Sequence, residues 1–388
     1  MTKDVSADGL RGIAALSVVL CHFLISFSPA GFKYHYPSAA YPDATWSWLD
    51  SLISTPFISV MWNGTFAVCI FFVLSGYVLT KSFYVSGDLN VLRLRAIRRY
   101  FRLCVPIFGS VMLSYVLMSI AGKYWQGAGT LSRSLWLYHF WQITPEFFDA
   151  LRNGVYGAIF GGISFYTPPL WTMRIEFVGS MLVFAYAAIS LRGAKSVIFF
   201  VVVAAGLRLL FPSEWIFYLA FIAGSHVGRV GVSADKSILI SAFVLGIIFG
   251  GFDFSAVYKW TSFIPLESQD RETLFCVIGG IFLVYSVRGG VFKWLWESQP
   301  AQFLGRISYS LYLVHFPILL TFSSWLYIKF ASLAMSRFIA LGIDLVASMA
   351  VFFLAAWMFD RTFDRGGIAL SKKLFPGKTD LGISKASA

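Results

Sequence analysis

Residues 60–81, VMWNGTFAVCIFFVLSGYVLTK, decide the fold of this chain. The stretch contains no charged residue before Lys81 and is too apolar to form a surface that faces water. Because an α-helix rises about 1.5 Å per residue, about 20 apolar residues are needed to cross the hydrocarbon core of a bilayer. The stretch has that length and therefore predicts a transmembrane helix.

The composition indicates that this helix is one of many. Of the 388 residues, 58% are hydrophobic and only 13% are charged, whereas soluble domains contain about 25% charged residues. A soluble chain of this length would need a polar surface around two cores. This chain has too few charged residues to form such a surface. We therefore predict an all-α, polytopic integral membrane protein with about ten transmembrane helices, in contact with the lipid bilayer. The predicted spans are 10–28, 60–81, 103–121, 170–191, 195–211, 214–230, 236–252, 271–288, 305–328 and 337–359.

Basic residues between the predicted spans give the orientation, because short cytoplasmic loops carry an excess of Lys and Arg. Segment 81–102 is basic, and so is every second segment outward from it. The opposite-side loops 29–59 and 122–169 are aromatic-rich and suit interfacial segments or a cover over a cavity. We expect both termini in the cytoplasm, a membrane domain over 1–360 and a basic tail over 361–388. This bias explains the net charge of +12 without a nucleic-acid partner.

The first span carries ionisable residues at a depth where lipid disfavours them, which makes them functional candidates. Arg11 and His22 are eleven residues apart, so they return to nearly the same helix face about 16 Å apart along the axis. Asp8 lies one turn below Arg11 on that face. The stripe predicts an acid–guanidinium pair at the cytoplasmic end and an imidazole deep in the membrane. The alternative is a helix-start ion pair with a hydrogen-bonded core histidine.

Arginines precede the third span at positions that share one helix face: Arg95, Arg98 or Arg99, and Arg102. Guanidinium groups suit bidentate binding of phosphate. The alternative is that they set topology and contact anionic lipid headgroups.

Glu176 lies inside an apolar segment, on the same face as Thr172 and Ser180. An unpaired carboxylate there would be costly, so a partner is required, and His22 or an arginine is the natural one.

A second intramembrane histidine, His315, shares a helix face with Ser308 and Tyr312. This pattern predicts a polar cavity or, alternatively, hydrogen bonds between helices. His22, His315 and Glu176 could form a three-ligand zinc site, but no HxxxH or HExxH pair occurs, and we predict no metal. The four cysteines form no CxxC pair and predict no disulfide framework.

Taken in order, these segments resemble the acyltransferase-3 family of membrane O-acyltransferases, from residue 8 to residue 317. The matching motifs are Asp8-x-Leu10-Arg11-Gly12 with His22, Phe71-Phe72-Val73-Leu74-Ser75-Gly76-Tyr77, Arg99-x-x-Arg102-Leu103, Trp171-Thr172-x-x-x-Glu176, and Ser308-Tyr309-Ser310-x-Tyr312-Leu313-x-His315-x-Pro317.

The resemblance implies transfer of an acyl group, usually acetyl, from cytoplasmic acyl-CoA to a hydroxyl of a cell-surface or exported carbohydrate. It implies acetyl-CoA as donor substrate, no permanently bound cofactor, and the inner membrane of a bacterium. It assigns residues 1–360 to the acyltransferase-3 transmembrane domain, and the short tail implies a stand-alone member without an SGNH domain. The alternative function is a transporter or flippase of a glycan or lipid-linked intermediate. The oligomeric state stays open.

The resemblance also implies roles for individual residues. His22 would be the general base or a transient acyl carrier, with Glu176 orienting its imidazole and Arg11 completing the catalytic set. Residues expected to bind CoA or acceptor are Arg99, Arg102, Arg98, Asp8, Ser308, Tyr309, Tyr312, His315 and Trp171.

Overall fold

A computed structural model describes residues 4–189, 194–333 and 335–377 of the protein. Within these ranges the chain is helical and forms no β-strand; one isolated antiparallel bridge joins Ala40 and Ser134. The all-α prediction is therefore confirmed.

The α-helices in chain order are α1 (Val5–Phe27), α2 (Trp48–Ile53), α3 (Gly64–Ser86), α4 (Leu89–Ile120), α5 (Tyr124–Ser132), α6 (Leu135–Tyr138), α7 (Phe147–Arg152), α8 (Trp171–Ile189), α9 (Ala194–Leu210), α10 (Trp215–Arg229), α11 (Lys236–Gly250), α12 (Ser268–Arg288), α13 (Lys293–Trp296), α14 (Gln299–Ile318), α15 (Ser324–Ser332), α16 (Arg337–Phe359) and α17 (Arg365–Leu374). Shorter 3-10 segments are Pro29–Phe32, Ser59–Trp62, Pro168–Leu170 and Ala256–Phe263. The π-helical segments Asn153–Gly161, Leu319–Ser323 and Asp360–Asp364 prolong α7, α14 and α16.

Among the described residues, six helical segments are long and apolar enough to cross a membrane. They are Val5–Phe27, Gly64–Ser86, Leu89–Ile120, Pro168–Ile189, Gln299–Ser332 and Arg337–Leu374. Each of the ten predicted spans coincides with a helix, but α9 to α12 are shorter or more charged than these six. The protein is thus built as a helical membrane protein, and the count of ten remains a prediction.

Helix α4 begins earlier than the third predicted span. It starts at Leu89, so the arginine-rich segment continues the helix instead of forming a loop, and Pro106 lies inside it. A rigid helix therefore presents these arginines, which fixes which of them share a face.

Helices α1 and α14 run side by side with their backbones almost in contact. A Cβ atom at Gly12 would lie 2.3 Å from the Gly305 amide nitrogen, and one at Gly305 would lie 2.3 Å from the Asp8 carbonyl oxygen. Small residues permit such approaches between membrane helices, where dispersion contacts drive association. His22 and His315 each lie ten residues after the glycine of their own helix. The glycine contact therefore brings the two histidines to the same depth.

The loop 122–169 covers the end of α1 that we expect to face outward. The last carbonyl groups of a helix lack partners within it. The hydroxyl of Ser132 donates to the carbonyl of Ser26 at 2.7 Å, and that of Ser134 donates to Ile25 at 2.9 Å. These bonds hold α5 and α6 over the end of α1.

Part of the predicted tail packs on the membrane domain. Helix α17 lies along α4, with Gly367 against Pro106, and Phe363 of the preceding π-helical segment packs against Gly109. The predicted boundary at residue 360 thus falls inside a continuous packed segment; residues 378–388 of the tail lie outside the described residues.

Candidate active site

A cavity of ≈ 460 Å³ lies between α1, α3, α4, α8, α14 and the segment that follows α16. Its polar lining falls into two groups. The charged group is Arg11, Arg99, Arg102, Arg306, Arg365, Glu176, Asp360 and Asp364. The hydroxyl group is Ser75, Thr172, Ser308, Tyr309 and Tyr312. Arg306 and Tyr312 are six residues apart on α14, so the hydroxyl end lies about 9 Å further along the helix.

Arg102 and Arg306 form the mouth of this cavity. Both residues are exposed, and no hydrogen bond or ion pair joins either side chain to a described residue. Arg102, which we expect to bind CoA, thus lies in the cavity lining. Two guanidinium groups are therefore open to an incoming anion at this end.

Glu176 is held by an ion pair with Arg99 and by a 2.8 Å hydrogen bond from the Ser75 hydroxyl. The carboxylate and guanidinium side chains are only 13% and 9% exposed, so each neutralises a charge that would be costly alone. Three motifs from α3, α4 and α8 thus meet at Glu176. Its partner is an arginine, which was one of the two partners that we expected. The expected contact between Glu176 and His22 is wrong.

Of the other predicted residues at the cytoplasmic end, Arg11 lines the cavity, whereas Asp8 and Arg98 do not. Arg11 lines the cavity and forms the expected pair with Asp8, whose Oδ1 lies 3.1 Å from Nη1 of Arg11; Asp8 itself is not in the lining. Arg98 points away from the cavity, and its Nε donates to the carbonyl of Phe375 at 2.9 Å. Arg98 therefore holds the residue that follows α17, and it does not line this cavity.

His22 and His315 form a direct pair. Nδ1 of His22 lies 2.8 Å from Nε2 of His315, and the two rings are nearly parallel, with centroids 5.1 Å apart and planes 7° apart. Nδ1 of His315 lies 2.9 Å from the carbonyl oxygen of Leu311. Neither histidine is in the cavity lining; His315 is fully buried and His22 is partly buried. The expectation that His315 lines the cavity is wrong, because the parallel course of α1 and α14 turns its ring onto His22.

Aromatic rings enclose the remaining faces of His22. Trp136 stacks on it with ring centroids 5.5 Å apart, and Phe316 meets it edge-on at 5.1 Å. Trp136 belongs to α6 in the outer cover, and its sequence signal was only that of an aromatic-rich loop. These rings cover part of the surface of the imidazole.

Tyr312 stands between the cavity and the histidine pair. Its hydroxyl donates to the carbonyl of Pro169 at 3.0 Å and lies 2.9 Å from the hydroxyl of Thr172. Its ring centroid is 6.2 Å from that of His315, and Phe71 packs against it. The predicted hydroxyl face of α14 therefore forms the inner end of the cavity.

The remaining predicted residues occupy different places. Ser308 and Tyr309 line the cavity; the Ser308 hydroxyl donates to Gly305 at 3.0 Å and that of Tyr309 approaches the Met173 sulfur at 3.7 Å. Trp171 is 42% exposed, packs against Phe217 and is not in the lining. Its predicted role in the site is not met, because the first residue of α8 faces outward.

Three lining residues from the end of the chain, Asp360, Asp364 and Arg365, were missed by the sequence analysis. Arg365 pairs with Asp360, with Nη2 and Oδ2 3.0 Å apart. Their only sequence signal is that charges follow the last apolar helix. Among the described residues, no three His, Cys, Asp or Glu side chains come together in a way that could hold a metal ion.

Comparison with known proteins agrees with these motifs. The chain is similar to O-acetyltransferase PaAT-1 from Phomopsis amygdali, at 25% identity over 386 residues, with 84% of this chain and 74% of that protein covered. No solved structure matches. The model of the Acyl_transf_3 family, described as an acyltransferase domain, matches residues 4–360. The chain therefore belongs to the acyltransferase-3 family and is a membrane O-acyltransferase.

Proposed function

We propose that the protein moves an acetyl group from cytoplasmic acetyl-CoA to a hydroxyl group of a carbohydrate on the opposite side of the membrane. The observation that carries this proposal is the cavity, which has two exposed guanidinium groups at its mouth and a histidine pair beyond its inner end. A donor entering at one end and an acceptor arriving from the other would meet at His22.

The proposed topology has ten spans with both termini in the cytoplasm, in the inner membrane of a bacterium. The start of α1, the first half of α4, the start of α14 and α17 gather at the mouth and bring most of the nearby arginines with them. Positive charge concentrated at one end of a helical membrane protein favours the cytoplasmic side.

The donor phosphates would bind at Arg102 and Arg306. Arg99 and Arg11 are occupied by Glu176 and Asp8, whereas the two mouth arginines are exposed and make no side-chain hydrogen bond within the described residues. Guanidinium–phosphate bonds are charge-assisted and often bidentate. The thin pantetheine arm would then extend along the cavity toward Tyr312, and the thioester would approach His22, which lies about 16 Å of helix rise beyond Arg11.

The reaction needs one proton acceptor and a dry site. His22 would take the proton of the acceptor hydroxyl while the hydroxyl oxygen attacks the thioester carbonyl. The carbon–sulfur bond then breaks, and the CoA thiolate takes the proton back from the imidazolium. The products are an ester and free CoA, with no change of oxidation state. Trp136 and Phe316 would exclude water, which would otherwise compete as acceptor.

A carbohydrate acceptor suits the outer surface. Trp46 and Trp48 are 46% and 62% exposed on the segment that precedes and begins α2. Aromatic faces pack well against sugar rings, although a membrane interface also favours them. Polysaccharide O-acetylation is therefore the acceptor reaction that we propose.

Thermal unfolding of the purified full chain with and without acetyl-CoA tests the donor site. We expect acetyl-CoA to raise the melting temperature of the wild type, because ligand that binds only the folded state stabilises it. Arg102→Gln should weaken acetyl-CoA binding roughly ten- to a hundredfold, the loss of one charge-assisted contact.

Arg93→Gln is the matched control, because Arg93 is exposed on the same helix and is not in the cavity lining. It should respond to acetyl-CoA as the wild type does. A wild type that does not respond would contradict the proposal and favour a transporter or flippase. Equal responses of the two arginine variants would contradict the assigned binding place.

A further inference from the structure

We infer that His315 is a positioning residue that fixes the tautomer of His22, so that Nε2 of His22 is the unprotonated nitrogen of the resting enzyme. The catalytic consequence of this assignment rests on the proposed function. The tautomer itself follows from the hydrogen bonds and is measurable without any substrate.

The argument starts at the carbonyl of Leu311, which can only accept a hydrogen bond. Nδ1 of His315 lies 2.9 Å from that oxygen and therefore carries a proton. A neutral imidazole has one protonated and one unprotonated nitrogen, so Nε2 of His315 holds a lone pair. Nδ1 of His22, at 2.8 Å, must then donate its proton to that lone pair. The other nitrogen of His22, Nε2, is left unprotonated.

The surroundings keep both rings neutral at rest. His315 is fully buried, and its ring neighbours are Tyr312, Phe316 and Phe352. Among the described residues, no carboxylate contacts either histidine, and Glu176 is occupied by Arg99. A charged imidazole without an acidic partner would be costly in this environment.

This arrangement gives His22 what a general base requires. Nε2 points its lone pair away from His315 and is free to take a proton from a hydroxyl. Once protonated, His22 still donates from Nδ1 to the lone pair of His315, which stabilises the new charge. His315 thus does the orienting work that a carboxylate does in a Ser–His–Asp triad, without burying a negative charge in the membrane.

Two substitutions at position 315 separate positioning from packing. The amide of Gln reaches the place of Nε2, where its oxygen can accept the proton of His22. The amide of Asn reaches only the place of Nδ1, where it can bond to Leu311 but not to His22. Both are neutral polar amides that differ by one methylene group, which makes them a matched pair.

We expect His315→Asn to lower kcat for acetyl transfer by about 10²- to 10³-fold, within the range that a misplaced general base costs. Its stabilisation by acetyl-CoA should stay at the wild-type level, because the donor phosphates bind elsewhere. His315→Gln should keep kcat within about tenfold of the wild type. Equal kcat values for the two variants would overturn the positioning role.

Nitrogen NMR of the full chain with labelled histidine tests the tautomer directly. The protein has five histidines, and signals missing from His22→Ala and His315→Gln assign the pair. We expect the resting wild type to show protonated Nδ1 and unprotonated Nε2 on both rings. A protonated Nε2 on His22 would overturn the inference. The spectrum needs no acetyl-CoA, so it tests the tautomer separately from the proposed function. The proposed function is contradicted if the wild type does not bind acetyl-CoA.

Discussion

Nδ1 of His22 and Nε2 of His315 lie 2.8 Å apart although the residues are 293 positions apart in the chain. The contact depends on α1 and α14, which meet at Gly12 and Gly305 and place each histidine ten residues further on. The close approach of the helix backbones is thus a condition for the geometry of the site. This relationship connects the packing of the fold to the chemistry of the enzyme.

Gly305→Ala should disturb both stability and activity. Its new Cβ would lie 2.3 Å from the carbonyl oxygen of Asp8, so α1 must move away. We expect a loss of about 1–3 kcal/mol in the free energy of unfolding, the usual cost of overpacking, together with a lower kcat. Denaturant unfolding and acetyl transfer measure the two effects. Gly342→Ala on α16 is the control, since nothing lies within 4 Å of its added atom; equal effects of the two would contradict the close-contact argument.

Glu176→Gln should destabilise the protein by about 3–5 kcal/mol, because the buried Arg99 loses its counter-charge. The double variant Arg99→Met with Glu176→Leu should recover much of this loss, since a buried ion pair can be replaced by apolar side chains. Thermal unfolding of the three proteins checks the prediction. A stable Glu176→Gln that has lost only activity would instead favour a direct catalytic role for the carboxylate.

Trp136→Ala should allow water to reach His22. The indole stacks on the imidazole from the outer side, and its removal opens that face. We expect hydrolysis of acetyl-CoA to rise relative to transfer to the acceptor, measured as free thiol released per ester formed. Trp260→Ala is the control, because Trp260 is 53% exposed and packs on Phe275 instead of on His22. An unchanged ratio in Trp136→Ala would show that other groups exclude water.

Asp4 should make stability depend on pH. Burial disfavours its charged form, but hydrogen bonds from Lys81, Tyr77 and the Ala7 amide outweigh this and lower the pKa of Asp4 below its ordinary value of 3.8. A carboxyl with a lowered folded pKa stabilises the protein above its ordinary pKa and loses that stabilisation as pH falls through the folded value. Thermal unfolding from about pH 7 to about pH 3 should show a steeper loss in the wild type than in Asp4→Asn. Equal slopes would exclude this contribution.

The sequence predicted those features that depend on local spacing. The apolar segments predicted the helices, and the spacing of Asp8 and Arg11 predicted an ion pair within one helix. The cost of a lone carboxylate predicted a partner for Glu176, either His22 or an arginine, and the structure shows the arginine. Each of these follows from helix periodicity or from desolvation of a single group.

The features that were missed depend on how distant helices pack. The sequence around each residue does not show whether Glu176 or His315 is the partner of His22. The backbone contact between α1 and α14 places His315 there. Asp364 and Arg365 follow the last apolar helix as tail charges commonly do, and only the packing of α17 on α4 turns them into the cavity.

The most direct test of the account is transfer of label from radiolabelled acetyl-CoA into base-labile ester in membrane vesicles from cells that express the chain. The wild type should incorporate label. His22→Ala should lose transfer by about 10²- to 10⁴-fold, the usual contribution of a general base, while its purified form is still stabilised by acetyl-CoA. Wild-type transfer by a folded His22→Ala protein would contradict the central claim that His22 activates the acceptor.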